Sequence, residues 1–365
     1  MRKLLIFIVA VAFFACSQQQ EGFKINVNID GAEGKVLLEK RGETNWIAVD
    51  TADIVDGTAV LEGEVDYPQD YYISMVGQPR NKTVVFVENT DITVTGKIDS
   101  LRSVDVTGSE THNEFESLNK PITDVSQEYM QLYQQAQQAV AGGDTVKAEE
   151  LMEEVNDMYM STVEMQKEFV KDNPGSYVSP YLLGNIQNRL DVLQLDSLVS
   201  ALETNIDTLQ RIQAIKERIE SLKKVAVGQT APDFTMNDPE GNPVTFSDIY
   251  AQNELTLLDF WAGWCGPCRQ ENPNVVAVYN EFKDDGFTVF GVSLDREREG
   301  WLRAIEEDNL TWTHVSDLQY WNNAAARMYE VSGIPASFLV DNSGKIVAKN
   351  KRGDELRETV KEELN

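Results

Sequence analysis

The sequence predicts a multidomain protein with an N-terminal all-β sandwich or barrel, a helical linker domain and a C-terminal α/β domain. Residues 23–109 contain short runs in which apolar and polar side chains alternate, which is typical of half-buried strands. Residues 110–226 carry apolar side chains at helical spacing, and residues 227–365 alternate between strand and helix patterns. A chain of 365 residues is also too long for one ordinary domain.

The N-terminus has the pattern of an export signal. A short basic stretch precedes the apolar segment Leu4–Phe14, which is too short to span a bilayer. It ends in Phe-Phe-Ala-Cys, which resembles a bacterial lipoprotein lipobox and implies a signal peptide over residues 1–15, lipidation of Cys16 and a tether over residues 16–22. Phe13 stands where that signal usually has Leu, so ordinary cleavage with a free Cys16 is the alternative.

The net charge restricts the partners that can be expected, and the number of cysteines restricts the cellular compartment. A formal net charge of -28 argues against nucleic acid as a partner. Lipidation of Cys16 would leave one cysteine pair, Cys265 and Cys268, in an oxidising compartment. We therefore expect a lipid-anchored, periplasm-facing protein of the cell envelope whose fold contains no structural disulfide.

The all-β region has eight predicted strands. In the first, from Phe23 to Ile29, every second side chain is apolar, and these apolar side chains point to one face. Trp46, Tyr71 and Tyr72 could form a binding face, although aromatic strand residues more often belong to a core. The other runs cover residues 35–39, 46–49, 58–61, 71–76, 83–87, 92–95 and 104–106. No catalytic cluster is found in this region.

The helical region is predicted to begin with an antiparallel hairpin. One apolar stripe includes Tyr129 and Ala136, and a second includes Val155 and Phe169. Gly142-Gly143-Asp144 combines a helix stop with a helix cap, and Asn173-Pro174-Gly175 ends the second helix. Shorter helices follow to about residue 224, and no cofactor-binding motif is present.

The last region alternates strands and helices from residue 227 onward. A helix capped by Ser247 follows a short strand, and a hairpin turning at Asn342-Ser343-Gly344 precedes a final helix from Glu355. The predicted strands cover residues 245–246, 255–260, 287–294, 337–340 and 345–348, and the helices between them cover residues 301–308 and 322–329.

Reactive chemistry is predicted at Trp264-Cys265-Gly266-Pro267-Cys268, where the buried strand 255–260 gives way to a helix. Unpaired N–H groups and the helix dipole favour a thiolate at Cys265, which makes it the nucleophile. Cys268, one turn deeper, is the candidate resolving thiol. Gly266 admits a substrate backbone, and Pro267 costs no hydrogen bond at a helix start.

A structural zinc site is the alternative for two cysteines at this spacing. Zinc requires four ligands, and His112 and His314 show no ligand spacing relative to the cysteines. We therefore predict a redox pair without metal or cofactor.

Several motifs then occur in order: APDF, FWAGWCGPCRQENP, GVSLD, GIPASFLVD and NSGKIV. With them, residues 227–365 resemble a thioredoxin-fold module of the ResA/TlpA type. The preceding residues resemble the β-domain and helical linker found ahead of such modules in envelope lipoproteins. The resemblance implies a thiol-disulfide oxidoreductase that acts on protein disulfides with a membrane thiol as electron donor. It also implies a cis peptide between Ile334 and Pro335, packed against the helix that carries the cysteines.

Two carboxylates are candidate proton acceptors for Cys268. Asp259 matches the buried aspartate of thioredoxins, and Glu271 matches the active-site glutamate of ResA-like proteins. A buried carboxyl tends toward a raised pKa, which suits general base catalysis near neutral pH. ResA-like proteins usually have Asn where this chain has Asp259, so either carboxylate remains a candidate.

The Gly266-Pro267 dipeptide resembles reducing thioredoxins, which favours a reductase over a disulfide oxidase or isomerase. A thiol peroxidase is an alternative, because APDF and the insertion after GVSLD also resemble peroxiredoxins, but their PxxxTxxC motif is missing. From another class, the chain could be a binding lipoprotein in which residues 23–226 capture a ligand or form a homodimer.

Overall fold

The computed structural model describes residues 22–42, 45–78 and 80–365. The predicted signal peptide and Cys16 lie outside the described residues. Contacts divide the described residues into two compact units, the first made of those up to residue 186 and of residues 201–207, and the second of residues 187–200 and 208–365. The finer domain boundaries at 109, 226 and 227 stay predictions.

The first unit begins with two four-stranded sheets that share one core. The sheets have the orders β4-β1-β7-β8 and β3-β2-β5-β6, and a 3-10 segment, Ile98–Ser103, precedes the last strand. Of the two expected architectures this is a sandwich, because buried side chains of both sheets face one another. The strands are β1 Phe23–Asp30, β2 Lys35–Arg41, β3 Trp46–Asp53, β4 Thr58–Gly63, β5 Gln69–Met75, β6 Lys82–Val87, β7 Asp91–Lys97 and β8 Asp105–Thr107.

The alternation in β1 has the predicted result. Its apolar side chains from Phe23 to Ile29 are buried, and the strand pairs antiparallel with β4 and parallel with β7. Of the three aromatic residues considered above, Tyr71 is buried in the core. Trp46 is exposed on β3, with the Lys82 ammonium 3.9 Å from its ring centroid. The preference for core is therefore confirmed for Tyr71 and wrong for Trp46, because no residue of β3 is covered well enough to be buried.

Helices occupy the region from residue 110 to residue 224. The predicted hairpin is confirmed: Gly143 takes the left-handed conformation that ends α1, and the Asp144 carboxylate accepts from the Lys147 N–H at the start of α2. The helices are α1 Glu110–Gly142, α2 Thr145–Asp172, α3 Ser179–Ile186, α4 Val192–Ser200, α5 Thr204–Asp207 and α6 Gln210–Lys224, of which α4 and α6 belong to the second unit. Within the described part of the chain, no helix is both long enough and apolar enough to cross a membrane.

The second unit contains a five-stranded sheet of order β13-β12-β11-β14-β15 and a separate hairpin of β9 and β10. Its strands are β9 Thr235–Asn237, β10 Pro243–Thr245, β11 Leu255–Trp261, β12 Phe287–Ser293, β13 Thr313–Val315, β14 Ala336–Asp341 and β15 Ile346–Lys349. Its further helices are α7 Phe246–Tyr250, α8 Gly266–Phe282, α9 Arg298–Glu307, α10 Ala324–Met328 and α11 Gly353–Glu363, with 3-10 segments Lys283–Asp285 and Tyr320–Asn322.

The central strand of this sheet positions the site. Every residue of β11 is buried, and the strand pairs parallel with β12 and antiparallel with β14. A mostly apolar run that is buried on both faces is typical of a central strand of an α/β sheet, and Thr256 and Asp259 are its polar exceptions. The β11-α8-β12 crossover therefore presents the start of α8 at the carboxyl end of β11.

Two details of this unit differ from the prediction. Ser247 does not cap α7, because the helix begins at Phe246 and its N-cap residue is Thr245. The N–H and hydroxyl of Ser247 both donate to the Asp233 carboxylate, at 2.9 and 2.7 Å. The strands β9 and β13 were not predicted, because three residues are too few to show a period.

Candidate active site

The two cysteines lie where β11 passes into α8. Cys265 is the N-cap residue of α8, and its Sγ accepts from the Cys268 N–H at 3.2 Å. Pro267 occupies the first turn, where an N–H has no helical acceptor. The two sulfurs form a disulfide, and both cysteines are buried. The structure thus brings together the predicted pair at a helix N-terminus, where a negative sulfur is stabilised by the dipole and by a hydrogen bond.

A second backbone segment bounds the disulfide. The peptide between Ile334 and Pro335 is cis, as expected, and the Ile334 carbonyl oxygen lies 3.8 Å from the Sγ of Cys265. At the next residue, a Cβ added to Gly266 would meet no atom within 4 Å outside its chain neighbours and its own helix backbone. Gly266 therefore leaves open space next to Cys265, through which a polypeptide can approach the sulfur.

Asp259 on β11 is the buried carboxyl of the site. Its side chain sits in a fully buried strand, with 8% of the residue exposed. Burial and the nearby Glu271 carboxylate raise the pKa of Asp259 to about 7, and the positive charge of Arg352 partly offsets this rise. The carboxyl is therefore poised to exchange a proton near neutral pH.

Glu271 lies on α8 and is half-buried. Its Oε1 accepts from the Gly353 N–H at 2.9 Å and from the Asn274 side-chain amide at 2.7 Å. These bonds fix the carboxylate against the start of α11, so it is not the freely solvated helix residue that its position in sequence allows. Electrostatics couples the two predicted carboxylates, and their part in the reaction stays a prediction.

Arg352 is a site residue that the sequence did not predict. It precedes α11, and its guanidinium donates to the carbonyl oxygen of Pro335 while its charge acts on Asp259. The neighbouring Asn350 exchanges two bonds with Ser337 on β14, at 2.8 and 3.0 Å. One short loop therefore holds the cis-proline segment, β14 and, through Gly353, the Glu271 carboxylate. No local motif marks such a loop, because each of its partners is distant in sequence.

Neither histidine takes part in a ligand cluster. Burial lowers the pKa of His112 to about 4 and that of His314 to about 3, so both are neutral at physiological pH. The Nδ1 of His112 accepts from the Phe86 N–H at 3.3 Å. Among residues 22–42, 45–78 and 80–365, no group of three or more His, Cys, Asp or Glu side chains is arranged to hold a metal ion.

Two family comparisons match separate parts of the chain. Residues 227–349 match the AhpC/TSA family. Residues 23–115 match a domain of unknown function, DUF4369. The matches fall on the predicted α/β and all-β regions.

Individual relatives match the same C-terminal part. The thiol-disulfide oxidoreductase ResA of Geobacillus thermodenitrificans (strain NG80-2) is 32% identical over 140 residues, which are 38% of this chain and 77% of the relative. The protein of that name from Bacillus subtilis (strain 168) is 26% identical over 125 residues, 34% of this chain and 67% of the relative. A solved thioredoxin domain of a thiol-disulfide oxidoreductase from Bacteroides vulgatus is 43% identical, covers 38% of this chain and 99% of that chain, and has a TM-score of 0.36.

Proposed function

Because the chain belongs to the ResA-like thiol-disulfide oxidoreductases of the thioredoxin fold, we propose that it is a membrane-tethered reductase of protein disulfides in the cell envelope. One observation carries the proposal. The Cys265–Cys268 pair stands at the N-terminus of α8, beside the Ile334 carbonyl and next to open space at Gly266. A helix-stabilised sulfur with a partner one turn away supports exchange through a mixed disulfide.

The proposed reaction starts from the reduced pair. The Cys265 thiolate attacks one sulfur of a substrate disulfide, a new S–S bond forms, and the other substrate sulfur leaves and takes up a proton. Cys268 then loses its proton, attacks the Sγ of Cys265 and breaks the mixed disulfide, so that the second substrate sulfur leaves as a thiol. The substrate gains two electrons and two protons, and the enzyme retains the Cys265–Cys268 disulfide. An external dithiol reverses the exchange and restores the reduced pair.

We assign the proton from Cys268 to the coupled pair of Asp259 and Glu271. With its pKa raised to about 7, the Asp259 carboxyl can accept and release a proton at the pH of the envelope. Glu271 is held in place by Gly353 and raises the pKa of Asp259 through its own charge. Arg352 limits that rise and, through Pro335, positions the segment that faces the substrate.

The tether and the electron source are further parts of the proposal. The lipobox-like segment at Cys16 supports a lipid anchor, and a membrane thiol protein is the expected electron donor. Deleting residues 23–222 tests whether the preceding domains select partners or form a homodimer. Unchanged activity toward a native partner, together with an unchanged oligomeric state, would exclude both roles.

The decisive experiment measures insulin reduction with dithiothreitol as the electron source. We expect Cys265→Ser to abolish catalysis and Cys268→Ser to accumulate mixed disulfides with the substrate. Cys16→Ser, in the exported chain without its anchor, is the matched control and should retain full activity. Turnover by either active-site variant would contradict the mechanism.

The direction of the reaction is tested by the reduction potential. We expect a value near the roughly -270 mV of thioredoxin. A value near the roughly -120 mV of strong disulfide donors would overturn the reductase assignment in favour of an oxidase or isomerase.

Peroxide reduction is a second candidate, since the AhpC/TSA match favours it. A peroxidase would consume hydrogen peroxide stoichiometrically with oxidation of its own thiols. We expect the reduced protein to react with peroxide no faster than an ordinary thiol, and rapid consumption would revive the peroxidase assignment.

A further inference from the structure

Three aromatic side chains lie together on the surface beside Cys265. Trp264 is 47% exposed and Trp321 is 37% exposed, while Tyr320 between them is half-buried. The ring centroid of Trp264 lies 5.1 Å from that of Tyr320 and 6.1 Å from that of Trp321, and the latter two are 5.8 Å apart. We call these three residues the aromatic platform. Exposed large side chains in one contiguous group mark an interaction surface rather than a core.

The platform is held in a defined shape. Leu318 and Tyr320 both take the left-handed conformation, at φ 56° and 57°, which is uncommon for side chains of this size. The Asp317 carboxylate accepts from the Asn323 side chain and from the Ala324 N–H, each at 2.9 Å. Backbone conformations of this kind persist where surrounding bonds enforce them, and they concentrate at functional sites.

A cation fixes the outer edge of the platform. The Arg296 guanidinium lies 4.1 Å from the ring centroid of Tyr320, in the geometry of a cation–π contact. On the inner edge, the Trp264 indole N–H donates to the Leu294 carbonyl at 3.4 Å. The rings are therefore ordered before any partner arrives, so a partner that covers them loses little conformational entropy.

We propose that the aromatic platform binds the segment of the substrate polypeptide that flanks its disulfide cysteine, and that it selects apolar or aromatic side chains there. The proposal rests on the proposed function and names its substrate class. The occupant follows from the reaction, because the substrate sulfur must bond to Cys265, the residue after Trp264. An extended chain advances roughly 3.3–3.6 Å per residue, so the side chains within a few residues of the substrate cysteine are the ones that can reach the platform.

The chemistry of the surface sets the preference. Indole and phenol rings give a large, rigid contact area to apolar and aromatic side chains. A carboxylate would lose hydration on such rings, and their negatively polarised faces would repel it. A small disulfide with no flanking residues does not reach the platform at all.

The test compares three disulfide substrates with dithiothreitol as reductant. Two of the substrates are peptides that contain the same disulfide. They differ only at the residues two to four positions from a cysteine, which are Leu and Phe in one peptide and Glu in the other. Hydroxyethyl disulfide is the third substrate. The variants are Trp321→Ala and Tyr320→Asn, the latter because Asn tolerates the left-handed conformation. Tyr133→Ala on α1 is the control, because the exposed fraction of Tyr133, 38%, is nearly equal to the 37% of Trp321.

The wild-type protein should favour the apolar peptide over the acidic peptide by at least tenfold in kcat/KM. In each platform variant, the ratio of kcat/KM for the apolar peptide to that for hydroxyethyl disulfide should fall about tenfold, mainly through KM. Tyr133→Ala should change neither ratio. Equal kcat/KM for the two peptides, or an unchanged ratio in both variants, would overturn the platform while leaving the reductase function intact. Failure of the wild-type protein to reduce any of the three would overturn the proposed function, and the platform with it.

Discussion

Replacing Asp259 with asparagine should stabilise the oxidised protein above neutral pH. The carboxyl lies in the fully buried β11, where the charged form loses its hydration. Asparagine keeps the shape of the side chain and carries no charge at any pH. The substitution therefore isolates the cost of ionising one buried group.

The magnitude follows from the pKa of the carboxyl. Folding raises it from 3.8 to about 7, and each unit corresponds to roughly 1.4 kcal/mol, so ionised Asp259 costs the folded state roughly 4 kcal/mol. Below pH 3.8 the group is protonated in both states and costs nothing. Between about pH 4 and pH 7 the unfolded chain binds fewer protons than the folded one, so the free energy of unfolding falls as pH rises. Above pH 7 the loss is complete.

Chemical denaturation at pH 4.5 and pH 8 measures this difference. Tryptophan fluorescence reports mainly on the C-terminal domain, because five of the six tryptophans lie between residues 261 and 321. Asp259→Asn should equal the wild-type protein within about 1 kcal/mol at pH 4.5 and exceed it by roughly 2–4 kcal/mol at pH 8. Asp284→Asn, on an exposed 3-10 segment, is the control and should show no pH-dependent gain.

Two neighbouring charges should move the transition in opposite directions. Glu271→Gln removes a charge that raises the pKa of Asp259, so the fall in stability should shift to lower pH. Arg352→Gln removes the offsetting positive charge, so the fall should extend to higher pH. An Asp259→Asn protein that is no more stable than wild type at pH 8 would refute this electrostatic account, as would identical pH profiles for both neighbour variants.

Two further substitutions test the packing and the buried ion pair. Gly291→Ala should destabilise the C-terminal domain by about 2 kcal/mol in the fluorescence assay, because its Cβ would lie 2.5 Å from the Nδ1 of His314, whereas Gly300→Ala meets nothing within 4 Å and should not destabilise. An equal response of both glycines would contradict the close contact. Lys82→Met should lower the stability of the β-sandwich by about 3 kcal/mol, because it removes the ammonium that lies 2.5 Å from the Glu39 carboxylate. The loss should appear as faster hydrogen exchange of the β-sandwich amides. Adding Glu39→Gln should restore most of that protection, and the absence of restoration would assign the loss to packing instead.

Much of the fold could be predicted from local pattern. The alternation in β1, the glycine stop after α1 and the apolar run of β11 each lie within one short window, and the structure has all three elements. Prediction was weaker where the same local pattern is compatible with both a buried and an exposed side chain. Trp46 has the same strand pattern as Tyr71, yet it is exposed because no residue of β3 is buried, and only the packing of the two sheets decides which strands are covered.

The site divides in the same way. The cysteines, Gly266 and Pro267 are adjacent in the chain, so their spacing and the strand-to-helix change were sufficient to locate them. Asp259 and Glu271 could be named through the family resemblance, but their coupling and the bond from Gly353 could not. Their roles in proton transfer, like those of the other site residues, stay predictions.

The sequence by itself determined the reactive pair, the order of the domains and the family, because these depend on residues that are close along the chain. Only the tertiary structure decided what surrounds the pair. Arg352 reaches Pro335, Gly353 holds a carboxylate 82 residues away, and Tyr320 and Trp321 lie against Trp264. Such contacts form when strands and helices distant in sequence pack together, and no periodicity or motif within one segment records where its neighbours in space will be.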